Sequence, residues 1–170
     1  HILVTGAGPV GLLAMKVAFA LGATSVTITD VSAARLEAAQ RFGATRTINV
    51  VEQSLVQAAL GADVLLECSG NQQALMDGIR SLRPAGVAVA VGMNPGETLN
   101  VPLSFIQNRE ITLTGTFRYA NTYADAIALV ATGRIDVRSI ITGHYSLAEA
   151  EQALLATQND ANALKSVVLP

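Results

Sequence analysis

Apolar runs of strand length alternate with stretches of helical period through most of this chain. Residues 2–5 are apolar or β-branched, and positions 10, 13, 14, 17 and 21 then set apolar side chains on one helical face. That spacing predicts strand, tight turn, helix. The cycle repeats with a strand at 25–30, a helix at 33–42 that has Ser32 as N-cap and Gly43 as stop, a strand at 46–50 and a modest helix at 52–60. A fourth strand at 64–70 ends in small residues, and a helix follows to Arg83. Pro84-Ala85-Gly86 resets the chain for 87–93, its most apolar run. Strands alternating with helices imply right-handed crossovers and a parallel sheet covered on both faces, which accounts for strands that are apolar almost throughout.

Beyond that run, 94–97 reads as a loop, 98–102 as a short edge strand and 105–107 as a helical turn. A sixth strand at 111–118 alternates with period two, so one of its faces is expected to be more exposed. Thr122 with Asp125 predicts a capping box for a helix to Gly133. Ser146 with Glu149 predicts another for a helix through Leu154, and 165–170 reads as a last strand. The expected fold is α/β: a doubly wound, six-stranded parallel sheet of Rossmann type with helices on both faces, then a C-terminal helix and strand tail. The expected domain boundary lies between 133 and 134, after the six-strand pattern is complete.

The first turn carries the chemistry. Gly6, Gly8 and Gly11 stand in GxGxxG spacing between the first strand and the first helix. Gly6 permits a sharp turn, Gly8 lets a diphosphate approach the backbone, and Gly11 lets helix and strand pack closely. Pro9 occupies a helical position whose N–H would be unpaired in any case, and the free amides with the positive dipole end favour an anion above the turn. The second strand closes on Asp30, about 20 residues beyond the last glycine, where a carboxylate accepts hydrogen bonds from an adenosine ribose. The same charge repels a 2′-phosphate, so NAD is expected over NADP. A glycine-rich turn without a ligand, or one that takes FAD or S-adenosylmethionine, fits the bare motif as well.

Ligands of parallel α/β sheets bind at the carboxyl ends of the strands. Here those ends are 5–8, Asp30, Cys68-Ser69-Gly70, Val91-Gly92-Met93 and 116–119, and they are expected to meet at one crevice. Arg35, in the first turn of the second helix, could stack on adenine, meet a phosphate or form ordinary surface pairs. Cys68 reads as a buried small hydrophobe rather than a nucleophile, since no histidine stands near it in sequence. Glu67 reads as an ordinary paired acid, and His144 as structural or solvated.

Net charge −2 and a pI near 5.6, without a basic cluster, give no electrostatic footprint for nucleic acid or membrane. One cysteine forbids an internal disulfide and fits a reducing compartment. One cysteine and two histidines are too few for a zinc site built from these residues alone. No tyrosine has a lysine four residues on, so the Tyr-xxx-Lys pair of short-chain reductases is missing. With a cofactor pocket but no acid, base or metal set, and an opening inside a strand without Met, the chain is expected to be the binding half of something longer. A non-enzymatic nucleotide sensor is the alternative.

Val4-Thr5-Gly6-Ala7-Gly8-Pro9-Val10-Gly11, Asp30-Val31-Ser32-Ala33-Ala34-Arg35, Glu67-Cys68-Ser69-Gly70, Val91-Gly92-Met93 and, above all, Thr116-Phe117-Arg118-Tyr119-Ala120-Asn121-Thr122-Tyr123 resemble the zinc-dependent medium-chain dehydrogenases, in the branch of sorbitol, xylitol and L-iditol dehydrogenases. The likeness spans nearly the whole chain. It implies NAD contacts on Val10, Asp30, Arg35, Val91, Gly92, Met93, Thr116, Phe117 and Arg118, with Arg118 and Tyr119 turned toward polyol hydroxyls. It also implies zinc ligands in an amino-terminal domain not contained here, to which the tail would return, so that residues from about 134 onward could be poorly anchored or packed differently. In the family, zinc polarises the substrate oxygen, a proton leaves and hydride passes to the nicotinamide; this half alone is expected to be inactive. A cytoplasmic homo-oligomer is implied, paired through an exposed edge at 111–117 with help from 98–101, a length of open edge that needs a partner in any case.

Overall fold

The computed structural model describes every residue of the chain except Ala59 and Glu97, and the chain divides into two compact units, His1–Thr122 and Tyr123–Pro170. The divide falls ahead of the 133/134 boundary expected from sequence.

In the first unit, β1 (Ile2–Thr5), α1 (Pro9–Ala20), β2 (Val26–Asp30), α2 (Ala33–Arg41), β3 (Arg46–Asn49), β4 (Ala62–Glu67), α3 (Gln72–Arg80), β5 (Leu82–Ala90), α4 (Leu103–Asn108) and β6 (Thr112–Gly115) follow one another. All six strands are parallel, in the order β3-β2-β1-β4-β5-β6. That is the doubly wound arrangement expected, in which the strand order, not the strand direction, reverses between β1 and β4. Every residue of β2 is buried, and Leu3, Ile48, Leu65, Ile79 and Leu82 anchor a core at 1 % exposure or less. Each such side chain contributes roughly 2 kcal/mol through removal from water.

The departures from the sequence reading have identifiable physical causes. Residues 51–58 form turns instead of the helix expected over 52–60, of which Ala59 lies outside the described residues. The Asn49 side chain takes the Val51 amide at 3.1 Å and donates to Glu52 at 2.8 Å, satisfying the backbone outside a helical ladder. Residues 98–102 join no ladder: the Gln72 side chain donates to the Asn100 carbonyl at 2.8 Å and accepts its amide at 2.7 Å, which occupies groups an edge strand would use. Residues 94–96 are irregular, as expected of the loop at 94–97, and Glu97 lies outside the described residues. Helix α3 stops at Arg80, and Pro84-Ala85-Gly86 lies inside β5, where the register to β4 shifts between Ala62 and Val64 and Ala85 has φ +57°. Strand β6 is shorter than 111–118, and its residues are exposed on both faces rather than on the one expected; Arg118, at φ +58°, cannot continue a strand.

In the second unit, α5 (Tyr123–Ala131) is followed by a short 3-10 turn, β7 (Ile141–Ser146), a second 3-10 turn (Leu147–Glu149), α6 (Ala150–Asn159) and β8 (Lys165–Leu169). β7 and β8 pair in parallel, and Ile140, Ala153, Ala156 and Leu164 are buried. β7 was not legible as a strand, but the Ser146–Glu149 capping box forms as expected and leads into α6. Among the described residues no helix is long and apolar enough to cross a membrane.

Candidate functional site

Strand register brings the predicted ends together. Thr29, Thr5, Glu67, Ala90 and Gly115 lie in one row across β2, β1, β4, β5 and β6. The next residues of each strand therefore leave the sheet on the same edge.

The β1–α1 turn is tied to its neighbours. Gly6 has φ +91° and donates its amide to the Thr29 carbonyl at 2.8 Å, and a Cβ on it would stand 3.1 Å from Ser69. Gly8 is the extended N-cap of α1, with no side chain capping the helix and Pro9 in its first turn. A Cβ on Gly8 would meet nothing within 4 Å, because it faces open space. Gly11 is the opposite: a Cβ there would run into the Gly6 carbonyl oxygen. Uncapped N-terminal amides beside an open glycine fit an anion that approaches the backbone.

Asp30 is 9 % exposed. Its Oδ2 accepts the Ala7 amide at 2.7 Å and its Oδ1 the Ser32 amide at 2.9 Å, while Ser32 Oγ caps α2 at Arg35. A carboxylate has about four acceptor positions, so each oxygen keeps capacity for a ribose hydroxyl.

A cavity of about 450 Å³ gathers Gly6, Gly8, Asp30, Arg35, Cys68 and Ser69. Among its walls are Val31, Val50, Leu55, Asn71, Ala74 and Asp77, none of which is expected there from the sequence. Val50, expected to close the third strand, lies in the turn after β3, and Leu55 comes from the turns that replace the expected helix; an Asn after Gly70 is a natural helix cap, and Asn71 caps α3 here. Pro9, Val10, Gly11, Gly70 and residues 91–93 and 116–119 do not line this cavity. Gly92 nonetheless packs on the Gly70 amide, Gly70 packs on the Met93 carbonyl, and the Thr116 amide donates to Ala90 at 3.0 Å. Val10, Met93, Phe117 and Tyr119 are exposed, and the Arg118 guanidinium lies 4.9 Å from the Phe117 ring centre.

Cys68 is half-buried on the cavity wall rather than fully buried as expected; its partial removal from water, and then the neighbouring Glu67 carboxylate, push the thiol up to about 12. It is thus held protonated and is no nucleophile at neutral pH. Among the described residues, no three His, Cys, Asp or Glu side chains gather as a metal site. The residues present do not fit a zinc ion.

Known proteins place this geometry. The profile of the family described as "Zinc-binding dehydrogenase" matches residues 9–132. The sorbitol dehydrogenase of Bacillus subtilis (strain 168) is 38% identical over 99% of this chain and 50% of its own length. A D-xylulose reductase of Saccharomyces cerevisiae is 37% identical over 98% of this chain and 50% of its own. The structure of an alcohol dehydrogenase from Thermus sp. ATN1 superposes with a TM-score of 0.91 at 31% identity, covering 99% of this chain and 50% of that one. The chain spans about half the length of the curated relatives it matches. With the six-stranded order, the glycine turn and the match over residues 9–132 in agreement, the chain belongs to the zinc-binding dehydrogenase family.

Proposed function

We propose that this chain is the NAD-holding half of a polyol dehydrogenase that oxidises a secondary alcohol of a sorbitol- or xylitol-like substrate. The observation that carries the reading is the shared cavity: Gly8 opens onto it from the uncapped start of α1, and Asp30 and Arg35 stand on its wall. The diphosphate lies over the turn from Gly6 to Gly11, and Asp30 accepts the adenosine ribose hydroxyls. Arg35 stands beside the adenosine, while residues 68–70, 91–93 and 116–118 flank the rest of the dinucleotide. When bound, NAD supplies the hydride acceptor.

Arg118 and Tyr119 are proposed to meet the polyol hydroxyls, for which a guanidinium fork and a phenol are suited. The names of the sorbitol dehydrogenase and D-xylulose reductase relatives support a polyol as substrate. The zinc of the family name is proposed to be held by other parts of the whole protein, with this half inactive by itself. Residues 1–133 would form the cofactor domain and 134–170 the return toward the remainder. The open edge of β6 is proposed to pair with a second copy, in a cytoplasmic homo-oligomer.

Calorimetric titration of this chain with NAD and NADP tests the reading. NAD is expected to bind more tightly; equal affinities, or no binding of either, would contradict it.

A further inference from the structure

Glu67 is 2 % exposed and carries a carboxyl group. Its side-chain partners are amides and hydroxyls from two strand ends. Oε1 accepts the Ser69 amide at 2.7 Å, the Ser69 hydroxyl, the Gly70 amide at 3.0 Å and the Thr5 hydroxyl at 3.3 Å; Oε2 accepts the Gly70 amide at 3.1 Å. Its main-chain carbonyl accepts the Val91 and Gly92 amides, both at 2.8 Å. One residue therefore holds the ends of β1, β4 and β5.

These bonds continue outward. Ser69 Oγ also accepts the Asn71 amide at 3.1 Å, and Asn71 Oδ1 in turn caps α3 through the Gln73 and Ala74 amides. Ser69 lies against Gly6, and Gly70 is wedged between Gly92 and the Met93 carbonyl. A displaced Ser69-Gly70 step would thus move the glycine turn and the 91–93 segment with it. An ionised carboxylate accepts only, so it matches this ring of donors; an amide would turn a donor of its own toward one of them.

We infer that Glu67 is a positioning residue for the dinucleotide, a role that rests on the NAD reading above. It touches no ligand itself. It holds the Cys68-Ser69 wall of the cavity at the distance from the glycine turn that NAD requires, so removing its charge weakens binding in a chain that remains folded.

The test is Glu67→Gln in this chain, with NAD affinity by calorimetry, fold by far-UV circular dichroism, and the Ser69 and Gly70 amides by NMR. With the fold retained, the dissociation constant for NAD is expected to rise about tenfold. The two amide resonances are expected to move upfield together as they lose a charged acceptor. An unchanged affinity, or a weaker one with both amides unmoved, would overturn the inference while leaving the NAD reading intact. If the wild-type chain does not bind NAD, the reading falls and the inference with it. Should Glu67→Gln not fold, Thr5→Val decides: Thr5 is fully buried and cannot touch NAD, so a loss of about threefold supports the clamp and an unchanged affinity overturns it.

Discussion

The carboxylate of Asp30 and the backbone amide of Ala7 are joined by a 2.7 Å hydrogen bond, which ties the end of β2 to the middle of the glycine turn. The acid expected to grip a ribose thus also holds the loop on which the diphosphate would rest. Asp30→Ala is therefore expected to do more than narrow the preference for NAD over NADP. It also strands the Ala7 and Ser32 amides and lowers stability by about 2 kcal/mol. Paired titrations and chemical denaturation check this; an unchanged NAD to NADP ratio would show that Asp30 does not discriminate between them.

Two glycines of one motif are expected to fail in different ways. Gly8→Ala adds a methyl group in open space on an extended residue, so stability should stay within about 0.5 kcal/mol while NAD affinity falls sharply. Gly11→Ala drives a methyl into the Gly6 carbonyl and should cost about 3 kcal/mol of stability. Melting curves and titrations on both variants separate steric exclusion of a ligand from damage to the fold. A stable Gly11→Ala, or a Gly8→Ala that binds NAD normally, would contradict these roles.

Cys68 should resist alkylation. With its thiol pushed up to about 12, the thiolate fraction at pH 8 is about a thousandfold below that of an ordinary exposed cysteine. Iodoacetamide labelling followed by mass spectrometry is expected to be slow in the folded chain and rapid in denaturant. Fast labelling of folded protein would contradict the raised thiol.

In the second unit, the amide and then the hydroxyl of Ser146 hold the Glu149 carboxyl below its ordinary range. A carboxyl lowered on folding contributes stability above its unfolded pKa, and that contribution is lost as pH falls through the folded one. An NMR titration should place the Glu149 midpoint below that of a free glutamate and show the start of α6 fraying as it protonates. A midpoint at or above the free value would contradict the capping box.

What could be read from the sequence was whatever a single segment settles by itself. The GxGxxG turn and the caps at Ser32 and Ser146 depend on neighbours a few residues away, and they stand where expected; the apolar strands form in the expected order, but β4 and β5 both begin and end earlier than the 64–70 and 87–93 read for them. The turns at 51–58 were set by the nearby Asn49 side chain, and two other departures by distant partners. Residue 100 is held by Gln72, and β7 exists because β8 pairs with it. The partners of Glu67 were illegible for the same reason: only the folded sheet brings Thr5 and the 91–92 amides to a residue that reads in sequence as an ordinary paired acid. The cavity was legible on its glycine and Asp30 side, and illegible where the turns after β3 close it.

A crystal of this chain grown with NAD tests the central claim most directly. The account predicts the diphosphate over Gly6 to Gly11 and the adenosine ribose hydroxyls on the Asp30 carboxylate. A dinucleotide seated elsewhere, or a ribose that makes no contact with Asp30, would contradict it.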